Sequence, residues 1–192
     1  VNLTPYIEDG KMNNFMDMLK KHEPAEALSK SPDGNIYGVP RIYDGVYMDQ
    51  TWQVRMDLLK KHNIPVPTNM EEVYDTLVKL KELYPESYPY CSRWELSHAM
   101  SAPAEVWSSG MSMMIDLDTR DYKYGPAEPG YLKALAFMRD CYQNGLIHPE
   151  FATLSDEQFL EQFANSKAFM TFDYQFADQI IETNKDTLEE GW

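Results

Sequence analysis

The sequence predicts an α/β fold in which a mixed sheet is flanked by helices. Runs rich in aromatic and β-branched residues alternate with segments whose apolar side chains recur every three or four positions, the pattern of strands feeding helices over a layered core. Capping residues, prolines and glycines stand at the joints between these segments. At 192 residues and 43% hydrophobic side chains, the chain can bury such a core and has no compositional mark of disorder.

The elements follow in order. Thr4-Pro5 reads as an N-cap with proline at the first helical position. Phe15, Met18 and Leu19 give residues 14–22 a helical spacing, and Ser31-Pro32-Asp33-Gly34 is a turn. An extended segment starts at Ile36, and Pro40 confines it to an edge or a crossing. Residues 43–54 read as extended and residues 56–62 as a short helix. Ile64-Pro65-Val66-Pro67 is a rigid connector, because each proline fixes its own φ and restricts its predecessor. Thr68 and Glu71 then predict a capping box for a helix with Met70, Val73, Leu77, Leu80 and Leu83 on its apolar face.

Beyond Pro85, residues 88–92 read as a strand and 94–108 as a helix broken near Pro103. Residues 112–118 and 122–124 predict a hairpin. Residues 129–144 predict a second long helix that buries Leu132, Leu135, Ala136, Met138 and Cys141, with Gly145 at its C′ position. Ser155, with Gln158 three residues on, caps a helix over 155–165. Residues 168–172 read as a buried strand and 174–184 as a final helix.

Charge and composition narrow the function. A formal net charge of −14 repels phosphate backbones and anionic lipid headgroups, which disfavours nucleic acid and membrane surfaces as partners. No stretch approaches the ~20 apolar residues that span a bilayer. Val1-Asn2-Leu3-Thr4 opens on folded-type sequence with no signal peptide. Cys91 and Cys141 are too few for a disulfide scaffold and too far apart for a metal motif, so buried free thiols are expected. Aromatic residues make up 13% of the chain, which core packing and a ligand surface both explain.

Enzyme signatures are mostly absent: there is no Gly-x-Ser-x-Gly elbow, phosphate loop or dinucleotide fingerprint. His22, His62, His98 and His148 lack metal spacing and read as solvated or structural, so neither a metal nor a cofactor is expected. Asp116, Asp118 and Asp121 lack the glycine and terminal glutamate of a calcium loop and read as a hairpin turn. Glu157 and Glu161, one helical turn apart, read as a solvated face.

Five phrases in fixed order carry a family resemblance. They are residues 33–40 (DGNIYGVP), 54–62 (VRMDLLKKH), 64–72 (IPVPTNMEE), 144–151 (NGLIHPEF) and 165–173 (NSKAFMTFD). With them the sequence resembles the extracellular solute-binding proteins of ABC importers, in the family that holds the maltose- and oligosaccharide-binding proteins. The resemblance implies mainly the second lobe of a periplasmic-binding-protein-like type II clamp: residues 1–40 as a remnant of the first lobe with the crossover, and residues 41–192 as the second lobe. It also implies a start in mid-protein, after a signal peptide and first lobe that lie outside this sequence.

A sugar site needs aromatic platforms beside planar polar groups, and α/β domains place ligands where loops leave the strand ends. Three places fit. Asp44 stands four residues beyond Pro40, where the resemblance implies a carboxylate, with Arg41 and Tyr43 beside it; a plain turn at Asp44-Gly45 competes. Arg93 and Trp94 follow the 88–92 strand, and Arg93 replaces a carboxylate of related sugar binders, which admits a uronic acid or another anionic group. Asp173 and Tyr174 follow the 168–172 strand, where the resemblance implies a stacking aromatic, with Phe176 as an alternate. Trp52 and Trp107 are further aromatic candidates.

The resemblance thus implies a binding protein with no catalytic residues. Its ligand is a carbohydrate, most simply an oligosaccharide, caught in an interlobe cleft and delivered to the permease subunits. The full-length form would be a monomer, extracellular as a cell-surface lipoprotein or periplasmic, touching the membrane only through an anchor outside this sequence. Two alternatives stay open: a carbohydrate hydrolase using Asp44 and Asp173 as paired carboxylates, and a binder of a non-sugar ligand such as a peptide.

Overall fold

Of the caps read from the sequence, the Ser155 cap is present, the cap of the 70–83 helix shifts by one residue to Asn69, and Thr4 caps no helix. The chain forms two units, Val1–Met48 and Asp49–Trp192, and the computed structural model describes residues 1–42, 50–116, 118–174 and 182.

The first unit holds three short helices, α1 (Thr4–Glu8), α2 (Asn13–Lys21) and α3 (Glu23–Ser29). Phe15, Leu19 and Ile36 are its buried apolar residues. Thr4 is not the N-cap of α1: Leu3 occupies that place. The Thr4 hydroxyl instead accepts the Ile36 N–H at 3.0 Å, and Asn2 Oδ1 accepts the Thr4 N–H. Long-range pairing with the Ile36 segment thus takes over the hydroxyl that a local cap would use. The expected turn at Ser31–Gly34 is present, closed by Gly34 N–H donating to the Ser31 carbonyl.

In the second unit β1 (Gln50–Val54) pairs antiparallel with β4 (Met170–Tyr174), Trp52 opposite Phe172. Tyr90 bridges in parallel to Met170 on one side and to Ile147 on the other, which makes the sheet mixed. Residues 88–92 form no full strand. Pro89 has no N–H to donate, so its carbonyl accepts from Phe169 and Met170 while Tyr88, Tyr90 and Cys91 donate outward. Among the described residues the unit also holds the α-helices α4 (Met56–Lys61), α5 (Met70–Leu83), α6 (Glu95–Val106), α7 (Pro129–Gln143) and α8 (Asp156–Ala164) and a 3-10 turn at Gly125–Ala127. The hairpin β2 (Met113–Ile115) with β3 (Tyr122–Tyr124) is present, its turn closed by Asp116 Oδ1 accepting the Asp118 and Thr119 N–H groups.

The cap of α5 sits one residue later than Thr68. Asn69 Oδ1 accepts the Glu72 N–H at 2.9 Å, and the Glu72 carboxylate accepts from the Thr68 N–H and hydroxyl at 2.7 and 2.8 Å. At α8 the capping box of Ser155 and Gln158 is complete. Pro103 lies inside α6 rather than breaking it. Its ring removes the N–H that would bond the Ala99 carbonyl, and the buried Tyr90 hydroxyl reaches that oxygen at 3.4 Å.

The buried face of α7 is rotated from the one read in the sequence. Gly130, Ala134, Phe137, Met138 and Cys141 are buried, whereas Leu132 and Leu135 are exposed. Leu83 of α5 is also exposed. Helix packing, not apolarity alone, sets the phase. Cys91 and Cys141 are both free and buried, and burial pushes each thiol up to about 12.

Two further features anchor the core. Arg55 and Asp57, both buried at the start of α4, form a two-point fork at 2.8 and 2.6 Å, while the Arg55 N–H bonds the Phe169 carbonyl. At Gly130 in the first turn of α7, a Cβ would overlap the Trp107 carbonyl oxygen. Helix propensity alone would make Gly130→Ala stabilising by about 0.5–1 kcal/mol. The contact instead forces a backbone shift, and a loss of about 1–3 kcal/mol in urea denaturation is expected. A stabilised variant would contradict this packing.

Candidate ligand-binding site

Three chain segments converge where β4 ends. Asp173 and Tyr174 close β4, Arg93 and Trp94 lead into α6, and Asp156 opens α8. Arg93 and Asp173 are 2% and 0% exposed. Arg93 Nε donates to Asp173 Oδ2 at 2.8 Å and Nη2 to Oδ1 at 3.4 Å. On the other side Arg93 Nη1 stands 3.0 Å from Asp156 Oδ1. Asp173 Oδ1 also accepts the Tyr174 N–H at 2.7 Å. A buried ion pair is held together by this kind of saturation, because each charge has lost its water.

The aromatic rings lie against this pair. The Arg93 guanidinium is 3.7 Å from the Trp94 ring centroid and 4.9 Å from that of Phe159. The Trp94 indole N–H donates to Asp156 Oδ1 at 2.8 Å. Tyr174 meets Trp94 edge to face, centroids 5.5 Å apart, and His98 meets Trp94 at 5.2 Å. Trp94 and Tyr174 remain 39% and 37% exposed, so they form a shelf with a solvent face and a charged underside. Trp94 and Glu95 take the left-handed backbone, at φ 58° and 77°. That conformation costs about 1–3 kcal/mol per non-glycine residue and is held by the surrounding contacts.

Of the residues singled out in the sequence, the structure brings Arg93, Trp94, Asp173 and Tyr174 together. Arg41 belongs to the first unit and is exposed. Tyr43, Asp44 and the alternate Phe176 lie outside the described residues, as does the segment read as a final helix after Tyr174 apart from Glu182, which is helical. Trp52 packs between Tyr90 and Phe172, and Trp107 packs on Phe137. Glu157 and Glu161 lie on an exposed face of α8.

Asp156 escaped the sequence reading, in which His98 reads only as solvated or structural. Asp156 stands 62 residues from Trp94, and the only local signal was its place behind the Ser155 cap. His98 lies one turn along α6 from Trp94, a spacing that marks a shared face but no role. Its Nε2 is buried without a hydrogen bond of good geometry, 3.9 Å from Asp173 Oδ1. Desolvation by burial pushes the imidazole below its ordinary value, with Arg93 acting the same way and the Asp173 carboxylate and Phe172 carbonyl opposing. Among the described residues no group of three or more His, Cys, Asp or Glu is placed to hold a metal ion, and no helix is long and apolar enough to cross a membrane.

The mixed sheet with flanking helices has counterparts of known structure. The fold is that of the solute-binding proteins of ABC transporters. The chain is similar to the alginate-binding protein AlgQ2, with 25% identity, a TM-score of 0.70 and coverage of 95% of this chain and 39% of that one. An HMO-binding, ABC-transporter-associated solute-binding protein from Bifidobacterium longum infantis ATCC 15697 superposes with a TM-score of 0.76 at 19% identity, over 97% and 42% of the two chains. The S. pneumoniae ABC-transporter substrate-binding protein FusA, solved with kestose, gives 0.70 at 18% identity over 94% and 40%.

Among curated proteins, Lipoprotein LipO of Bacillus subtilis (strain 168) is 22% identical over 97% of this chain and 39% of its own length. The chain therefore spans about two fifths of the relatives it matches. No protein-family model matches it. The three solved structures named are binding proteins by their own descriptions.

The His98 environment has a pH consequence. With its folded value depressed, His98 stays neutral where an unfolded histidine, near pH 6.5, already takes up a proton. Its contribution to stability is present above that pH and is lost as the pH falls through the depressed folded value. The expected NMR titration midpoint of His98 lies below 6.5, and His98→Gln removes part of the fall in urea midpoint on acidification. A midpoint above 6.5 would contradict the assigned burial.

Proposed function

We propose that the chain is part of the substrate-binding component of an ABC importer and that its Trp94–Tyr174 shelf holds a carbohydrate. The observation that carries this reading is half-exposed Trp94, stacked over the guanidinium of the buried Arg93–Asp173 pair, with half-exposed Tyr174 edge to face against it at a strand end. A pyranose offers an apolar C–H face and a rim of hydroxyls. Aromatic rings stack on the first, and the Asp156 carboxylate at the shelf edge accepts from the second.

In this reading Trp94 and Tyr174 touch ligand, while Arg93 and Asp173 hold them in place. Arg41, Tyr43 and Asp44 are further ligand-contact candidates on the family resemblance alone. Residues 1–40 would be the remnant of the first lobe and the crossover, and 41–192 the second lobe, with an oligosaccharide closed between lobes in the whole protein. Closure would present the loaded protein to the permease subunits. The relative named as a lipoprotein and the solute-binding neighbours support a place outside the cytoplasm, at the cell surface or in the periplasm.

Calorimetry on the full-length protein tests the reading, with hexose oligosaccharides, uronic acid oligomers and short peptides as probes. Saturable binding of an oligosaccharide is expected, and Trp94→Ala should weaken it by about 30-fold, roughly 2 kcal/mol, as loss of a buried aromatic anchor does. Binding of peptides alone, or an unchanged affinity in Trp94→Ala, would overturn it.

A further inference from the structure

The charge balance beneath the shelf bears on which carbohydrate it takes. We propose that Asp156 makes the Trp94–Tyr174 shelf selective for uncharged, hydroxyl-rich saccharides over carboxylated ones. The inference rests on the reading of the shelf as a carbohydrate site and adds a specificity-determining residue to it. From sequence alone Arg93 admits an anionic sugar, since a free guanidinium beside an aromatic ring binds a carboxylate in two-point fashion.

The structure removes that option. Asp173 takes Nε and Nη2 of Arg93 from one side, and Asp156 Oδ1 meets Nη1 from the other. Among the described residues one cation thus faces two carboxylates, and their summed charge is negative. Arg93 is 2% exposed, so an incoming carboxylate reaches it only by displacing one of its partners.

The group presented to solvent is instead Asp156, whose side chain is 55% exposed while Oδ1 carries both the guanidinium and the Trp94 indole N–H. An ionised carboxylate only accepts hydrogen bonds, so it matches sugar hydroxyls and repels a uronate. The net charge of −14 adds a field of the same sign.

Asp156 also orients the indole through the same oxygen, so ligand discrimination and ring placement depend on one atom. Replacing the charge while keeping the shape separates the two. In Asp156→Asn the side-chain oxygen still accepts the indole N–H, but Arg93 faces one carboxylate instead of two.

The test is competition calorimetry at low salt on the full-length protein, with panels of neutral hexose oligosaccharides and of uronate oligomers from alginate or pectin. The wild type should favour the best neutral ligand over the best uronate by at least about tenfold. Asp156→Asn should shrink that ratio several-fold through tighter uronate binding, and Asp156→Glu, which keeps the charge, should preserve it. Equal or preferential uronate binding by the wild type, or an unchanged ratio in Asp156→Asn, overturns the proposal while leaving the carbohydrate reading intact. Binding of neither panel overturns the carbohydrate reading, and this inference with it.

Discussion

The buried ion pair of Arg93 and Asp173 is the constraint on which the site depends. Two charges removed from water are tolerable only when every donor and acceptor is engaged, and here engagement reaches across three elements. Asp173 belongs to the end of β4, Arg93 to the approach to α6, and Asp156 to the first turn of α8. Saturating Arg93 therefore fixes the relative positions of all three. Trp94 follows Arg93 directly and lies over its guanidinium, so the left-handed backbone of Trp94 and Glu95 is maintained by contacts that also satisfy the charge.

The rest of the second unit supports that junction by the same logic of satisfied polar groups within an apolar core. Tyr90 is fully buried and bridges two neighbouring chain segments, and its hydroxyl serves the carbonyl that Pro103 leaves open in α6. Arg55 and Asp57 repeat the buried fork at the start of α4, where the Arg55 N–H ties that helix to the Phe169 carbonyl just before β4. A side-chain ion pair thus joins β4 to the approach to α6 and a backbone hydrogen bond joins Phe169 to the start of α4, while apolar packing fills the space between.

Much of this architecture was legible in the sequence, because its signals are local. The helical phase of α5 and the Ser155 cap both follow from side chains within one or two turns. Errors arose where a distant partner decided the outcome. Thr4 gave its hydroxyl to Ile36, Leu132 and Leu135 of α7 faced solvent because Ala134 and Phe137 met the core, and Tyr90 compensated for Pro103. The site divided in the same way. Trp94 and Tyr174 were readable from their places after strands. Asp156 was not, since its role depends on a hydrogen bond spanning 62 residues. The ion pairing that turns Arg93 inward spans 80 residues and was equally out of reach.

In the proposed reading the shelf holds a ligand. The buried carboxylate of Asp173 is spent on Arg93 and on the Tyr174 N–H, an arrangement suited to fixing a ring rather than to moving a proton. A double-mutant cycle on Arg93→Met and Asp173→Leu, read by urea denaturation, tests this account most directly. Each single change is expected to cost about 3–5 kcal/mol by leaving a charge buried without its partner, and the double variant should lose clearly less than the sum, with a coupling of about 2 kcal/mol or more. Additive losses within about 0.5 kcal/mol would contradict the claim that this pair holds the junction together.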